Sequence, residues 1–183
     1  GYLPEDVGFY DDLSGLDNLC FTGGLNGMSK PDAENRARQL MQEVGLLEQT
    51  DKKVGQYSKG MRQRLGLADV LMKNPEVIIL DEPTAGIDPS GIKEFLELIV
   101  RLSNEQGVTV LFSSHNLHQV QQVCNRVGIF VQGKIIAVGD IDALAKKLFD
   151  DASGFDTDSK EKSVKKYGLD DIYYRYFEGG LSH

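Results

Sequence analysis

Residues 77–82, Val-Ile-Ile-Leu-Asp-Glu, constrain this chain more than any other stretch. The unbroken apolar run Val77 to Leu80 is expected for a strand buried on both faces of a parallel sheet. Parallel strands need crossover connections, so helices should flank it. The sequence supplies them. Ser58 can cap a helix with an apolar stripe of Met61, Leu65, Ala68 and Met72. Asn74-Pro75 ends it, because a residue before proline is pushed out of helical geometry. Asp88-Pro89 starts another, with Asp as cap and Pro in the first helical position. Its stripe is Ile92, Phe95, Leu96, Ile99 and Leu102, closed by Gly107, and Val108 to Phe112 reads as a second buried strand. Alternating strand and helix define an α/β class.

Ahead of this core the pattern is helical. Residues 1–12 read as loop-like, with Gly1 inside a strand or a loop, and Leu13 to Phe21 as a helix with Ser14 as cap. The Gly-rich run Thr22 to Met28 reads as a loop. Ser29-Lys30-Pro31-Asp32 opens a helix carrying Ala37, Leu40, Met41 and Val44, which Gly45 stops. Leu46 to Gln56 is a connector with room for one helical turn. Beyond the core, a short helix runs through Cys124. Arg126 to Val131 and Lys134 to Val138 then alternate as strands around Gln132-Gly133, a hairpin signal. Asp140 caps a helix reaching Phe149, residues 150–166 are polar enough for a linker, and Leu169 to Phe177 form a last amphipathic helix.

The strand 77–80 ends in two acids, at the sheet edge where ligands of α/β folds bind. Asp81 offers the hard oxygen that Mg²⁺ prefers, and Glu82 could orient and polarise an attacking water. The same pair also fits a solvated strand end. Ser58-Lys59-Gly60 at a helix start presents free N–H groups and the positive end of a dipole to an anion, with Gly60 allowing close approach. A capped helix with no ligand is the plainer alternative. His115, after the second strand, could donate to a phosphate oxygen or be structural, as His118 is read to be.

Together these residues resemble the nucleotide-binding domain of ABC transporters. Tyr57 to Ala68 resembles the signature motif with its following Gln63-Arg64, and Val77 to Glu82 resembles the Walker B strand with its catalytic glutamate. Ala85 to Asp88 looks like the D-loop, His115 like the switch histidine, and Gly1 to Glu5 like the start of the Gln-loop segment. The likeness covers about residues 1–148, in the family's order. Leu169 to Phe177 looks like the terminal helix of exporter-type subunits.

The resemblance implies a P-loop NTPase-like parallel sheet core, incomplete here, with an inserted α-helical signature lobe. It divides the chain into 1–75 (Gln-loop and signature subdomain), 76–149 (catalytic subdomain) and 150–183 (linker and terminal helix). It implies ATP and Mg²⁺ as cofactors, with Glu82 and His115 catalytic and Asp81 and Glu5 at the metal. Ser58 and Gly60 would face the ATP of a second nucleotide-binding domain in a head-to-tail dimer, with Asp88 at the dimer contact. It further implies a membrane-spanning transporter subunit as partner and a place at the cytoplasmic face of the membrane. The alternative is a non-transport ATPase of the same family, acting in translation or DNA repair. A net charge of −8, with no basic block beyond Lys160 to Lys166, disfavours nucleic acid.

Three departures stand out. Lys59 replaces a Gly and Met61 the Gln of the signature, and Glu5 stands where Gln is usual. The phosphate-cradling loop Gly-x-x-x-x-Gly-Lys-Ser/Thr does not occur in the 183 residues. Gly128 to Lys134 mimics it, but Ile135 follows and the segment reads as hairpin, with no helix N-terminus to receive phosphate. The expectation is a fragment whose natural N-terminus lies upstream, one that turns over no ATP by itself. Cys20 and Cys124 read as reduced core residues of a cytosolic protein.

Overall fold

The computed structural model describes residues 1–144. They form two compact units, residues 1–115 and a second beginning at Asn116.

In the first unit, strands β1 (Tyr2–Leu3), β2 (Val77–Asp81) and β3 (Thr109–Ser113) make a parallel sheet in the order β1-β2-β3. Tyr2 pairs with Ile79, and Asp81 stands opposite Ser113. The helices are α1 (Gly15–Leu25), α2 (Lys30–Glu43), α3 (Lys59–Leu71) and α4 (Pro89–Gln106), with 3₁₀ turns at Leu47–Gln49 and Val54–Gln56. The capping residues read from the sequence do the capping. Ser14, Ser29, Ser58 and Asp88 accept from the backbone N–H of Asp17, Asp32, Met61 and Gly91. Each satisfies a donor that its helix start would leave open. Gly45 and Gly107 end α2 and α4 in left-handed geometry.

The core lies where α3 meets α1, α2, α4 and β1. Leu65, Leu67, Ala68 and Leu71 of α3, Leu40 and Met41 of α2, and Phe95 and Leu102 of α4 are buried there with Leu3, Ile78 and Leu80. The buried side of α3 is wider than the expected stripe, since Gln63, Gly66 and Leu67 are also enclosed.

Several expectations need correction. The segment 1–12 is not all loop, because Tyr2–Leu3 adds a strand beside β2. The run Thr22 to Met28 is not a loop from its start, because α1 continues to Leu25. Helix propensity lost at Gly23 is offset by packing: a Cβ there would lie 2.7 Å from that of Ala33, so the glycine lets α1 close onto α2. Strand β2 is buried on one face only. Ile78 and Leu80 are inside, while Val77 and Ile79 are 49% and 40% exposed. β3 likewise exposes Leu111. An apolar run reports tolerance of burial on both faces, and in the described residues only one face of this sheet is covered. The cysteines are free but half-buried, not core, and burial pushes both thiols up from their ordinary range.

Asp69 on α3 accepts a hydrogen bond from Thr22 of α1, and its Oδ1 is buried without a partner. Desolvation raises its carboxyl above the usual value, against smaller opposing effects of Thr22 and Lys73. A carboxyl raised by folding stabilises the fold most at low pH, and that contribution is lost as pH rises through its folded value. Asp69→Asn should therefore flatten the fall in stability with rising pH. Urea unfolding at mildly acidic and neutral pH checks this, and parallel curves for variant and wild type would refute it.

The second unit holds α5 (Leu117–Val123), capped by Asn116, and the antiparallel hairpin β4 (Val127–Val131) and β5 (Lys134–Gly139). Gln132 and Gly133 both take positive φ, 49° and 77°, as a tight two-residue hairpin turn demands. Val127, Ile129 and Leu144 form its small core with Leu117, Val120 and Ile141. The look-alike phosphate loop 128–134 is this hairpin, and a strand follows Lys134. The helix expected from Asp140 is seen over 141–144, and its remainder, the linker 150–166 and the helix 169–177 lie outside the described residues.

Candidate functional site

The carboxylates of Asp81 and Glu82 stand at the C-terminal edge of β2, held from both sides by neighbouring strands. From β1, the Tyr2 hydroxyl donates to Asp81 Oδ2 at 3.0 Å. The contact raises the Tyr2 phenol above its ordinary range, since the hydrogen bond and nearby charge of Asp81 disfavour a phenolate. From β3, the Ser113 hydroxyl lies 2.8 Å from Asp81 Oδ1 and accepts from the Glu82 N–H at 3.1 Å. The His115 N–H donates to Glu82 Oε1 at 2.9 Å, and His115 Nδ1 lies 3.0 Å from Oε2. Glu82 is thus gripped at its backbone and at both carboxylate oxygens. Its φ is 43°, a region that a non-glycine residue enters at a cost of about 1–3 kcal/mol. Backbone of this kind persists where surrounding contacts over-determine it, and it clusters at functional sites.

Both oxygens of Asp81 accept a hydroxyl, and each retains a lone pair open to a cation. Among the described residues no group of three or more His, Cys, Asp or Glu is arranged to hold a metal. That does not disqualify Mg²⁺, which commonly takes one or two carboxylates and completes its shell with water and substrate phosphates.

Ser58 and Gly60 begin α3. The Ser58 Oγ accepts from Met61 N–H at 3.2 Å, which leaves its own proton available to a ligand. Gly60 packs on the turn after β2: a Cβ there would lie 3.3 Å from Ile87 Cγ2. Glu5 reaches the same helix through its backbone, its carbonyl accepting from Gln63 Nε2 at 2.6 Å and Lys59 Nζ at 3.2 Å. Lys59 also pairs with Asp6 at 2.5 Å, which ties down the cation that stands in the signature. Asp88 caps α4 through Gly91. The structure therefore brings Asp81, Glu82 and His115 into one cluster, and it bonds Glu5 through its backbone to the helix that Ser58 and Gly60 begin, apart from Asp81. Reading the sequence missed Tyr2 and Ser113, and it named Gln63 only as part of the signature resemblance, not as a buried side chain bonded to Glu5. A hydroxyl two residues before His115 was visible, but nothing local said that it faces Asp81.

A parallel α/β sheet with hydrogen-bonded acids at its C-terminal edge and a helical lobe on its flank has the architecture of a P-loop nucleotide hydrolase. The fold matches the ATP-binding cassette MJ0796, solved as a dimer in a post-hydrolysis state bound to ADP and Pi, with a TM-score of 0.67 and 23% identity. The match covers 77% of this chain and 62% of that one. Residues 1–85 match the family model described as ABC transporter. The linearmycin resistance ATP-binding protein LnrL of Bacillus subtilis is 38% identical over 148 residues, 81% of this chain and 47% of the relative. The bacitracin transport ATP-binding protein BcrA of Bacillus licheniformis is 41% identical over 147 residues, 80% of this chain and 47% of that protein. The chain belongs to the ABC transporter family of ATP-binding domains. It spans about half the length of the curated relatives it matches.

Proposed function

We propose that the chain is part of the ATP-hydrolysing subunit of an ABC transporter. The observation that carries this reading is the Glu82–His115 contact beside Asp81, three side chains meeting where a nucleotide's terminal phosphate would lie. Asp81 would hold Mg²⁺, and Glu5, bonded through its backbone to α3, is left out of that shell. Bound Mg²⁺ would neutralise phosphate charge. Glu82 orients and polarises the attacking water. His115 directs Nδ1 to Glu82, so donation from Nε2 to a phosphate oxygen requires both ring nitrogens to be protonated. Ser58 and Gly60 would serve the ATP of a second nucleotide-binding domain, with Asp88 at the shared contact.

The membrane-spanning partner is proposed from the relatives, as is a position at the cytoplasmic face. The resistance named for LnrL favours export, and the bacitracin named for BcrA suggests an antimicrobial cargo. Among the described residues no helix is long and apolar enough to cross a membrane. Co-expression of the full-length protein with its membrane-spanning subunit tests the reading. The pair is expected to co-purify from the membrane fraction and hydrolyse ATP. Recovery with ribosomes or DNA in place of a membrane protein would move the assignment to the non-transport branch.

A further inference from the structure

Ser113 bonds both Asp81 and Glu82. Its hydroxyl accepts from Glu82 N–H at 3.1 Å, with Asp81 Oδ1 at 2.8 Å and the Leu80 carbonyl at 3.3 Å. A hydroxyl has one proton, and the nearer, charged acceptor takes it. One small side chain thus gives its donor to the first carboxylate and a lone pair to the backbone of the second. The register makes this possible, since Ser113 stands opposite Asp81 on the adjacent parallel strand. Ser113 is itself exposed, so burial does not explain it. Tyr2 holds the other oxygen of Asp81, and His115 holds Glu82. Among the described residues, Ser113 bonds to both.

The conformation of Glu82 gives that double contact its meaning. At φ 43° the residue is outside the regions that side-chain-bearing residues favour. Its carboxylate is aimed by His115, but its backbone N–H is held by Ser113. Without the hydroxyl, the peptide joining Asp81 to Glu82 can turn, and the two carboxylates lose their mutual orientation.

We propose that Ser113 is a positioning residue that locks Asp81 and Glu82 into one rigid unit. A cation on the first and a water on the second then meet the nucleotide in fixed relation. The catalytic consequence rests on the hydrolytic reading of the site; the locking itself does not. Ser113→Ala and Ser113→Thr in the full-length protein test it with two measurements. Hydrogen exchange at the Glu82 amide reads the geometry, and steady-state ATP turnover reads the consequence.

Alanine is expected to release the Glu82 amide to exchange. It should lower kcat on the order of 10–100-fold, with KM for ATP near wild type, because misplacement of reacting groups acts on the chemical step. Threonine keeps the oxygen on a strand-favouring side chain and is expected to restore both readouts. Wild-type exchange and wild-type kcat in Ser113→Ala would overturn the proposal. So would an equal loss in both variants, the mark of general damage to the strand. If wild type turns over no ATP while alanine still releases the amide and threonine restores it, the lock stands and the hydrolytic reading falls.

Discussion

In the full-length protein, Glu82→Gln is expected to cut ATP turnover by roughly 10²–10⁴-fold, the usual worth of a positioned proton acceptor. That corresponds to about 3–5 kcal/mol of transition-state stabilisation. The substitution is nearly isosteric. The glutamine carbonyl can still accept from the His115 N–H, which Glu82 Oε1 now does at 2.9 Å. The Glu82 N–H keeps its bond to Ser113 Oγ, since the backbone is unchanged. What disappears is the negative charge that polarises a water. Binding of a fluorescent ATP analogue should therefore stay near wild type while turnover collapses. Turnover near wild type would remove Glu82 from the chemistry and leave its strained backbone unexplained.

The parts of the fold and site that were legible in the sequence are those written over short distances. Ser14, Ser29, Ser58 and Asp88 each bond a backbone N–H three residues on. The Gln132-Gly133 turn is also local, needing only two residues that accept positive φ. Asp81 and Glu82 could be placed at a sheet edge because an apolar run ends at them. The hidden parts depend on which strand lies beside which. Tyr2 meets Asp81 across 79 residues of sequence, and Ser113 meets Glu82 across 31. No local pattern encodes such a pairing, so hydroxyls that hold the site together read as ordinary strand residues. Gly23 failed for a similar reason. Glycine spacing signals a loop unless a neighbouring helix needs the room, and Ala33 does. The exposed face of β2 shows the limit of composition: Val77 and Ile79 are as apolar as Ile78 and Leu80, yet only the latter two are buried.

The largest stability effect is expected at Phe95. This ring lies on α4, whose buried side also carries Leu96, Leu98, Ile99 and Leu102. It is completely buried, among the largest side chains in the chain to be so. Phe95→Ala removes a ring's worth of apolar transfer and leaves a cavity that packed neighbours fill only in part, a combined cost of about 3–5 kcal/mol. Against a typical domain stability of about 5–15 kcal/mol, that is a large share. The control lies two residues away on the solvent side of the same helix. Glu97 faces Lys93 at 3.9 Å with both side chains mostly exposed, and such a pair contributes at most about 0.5 kcal/mol. Glu97→Ala should therefore unfold in urea near wild type, while Phe95→Ala unfolds at much lower denaturant. The consequence for the site is indirect but definite. α4 is capped by Asp88 and packs on β3, the strand that presents Ser113 to the Asp81 carboxylate and the Glu82 N–H. Loosening it should raise hydrogen exchange at the Glu82 amide in Phe95→Ala and leave Glu97→Ala unchanged. Equal unfolding midpoints for the two variants would mean that α4 is not anchored through this ring.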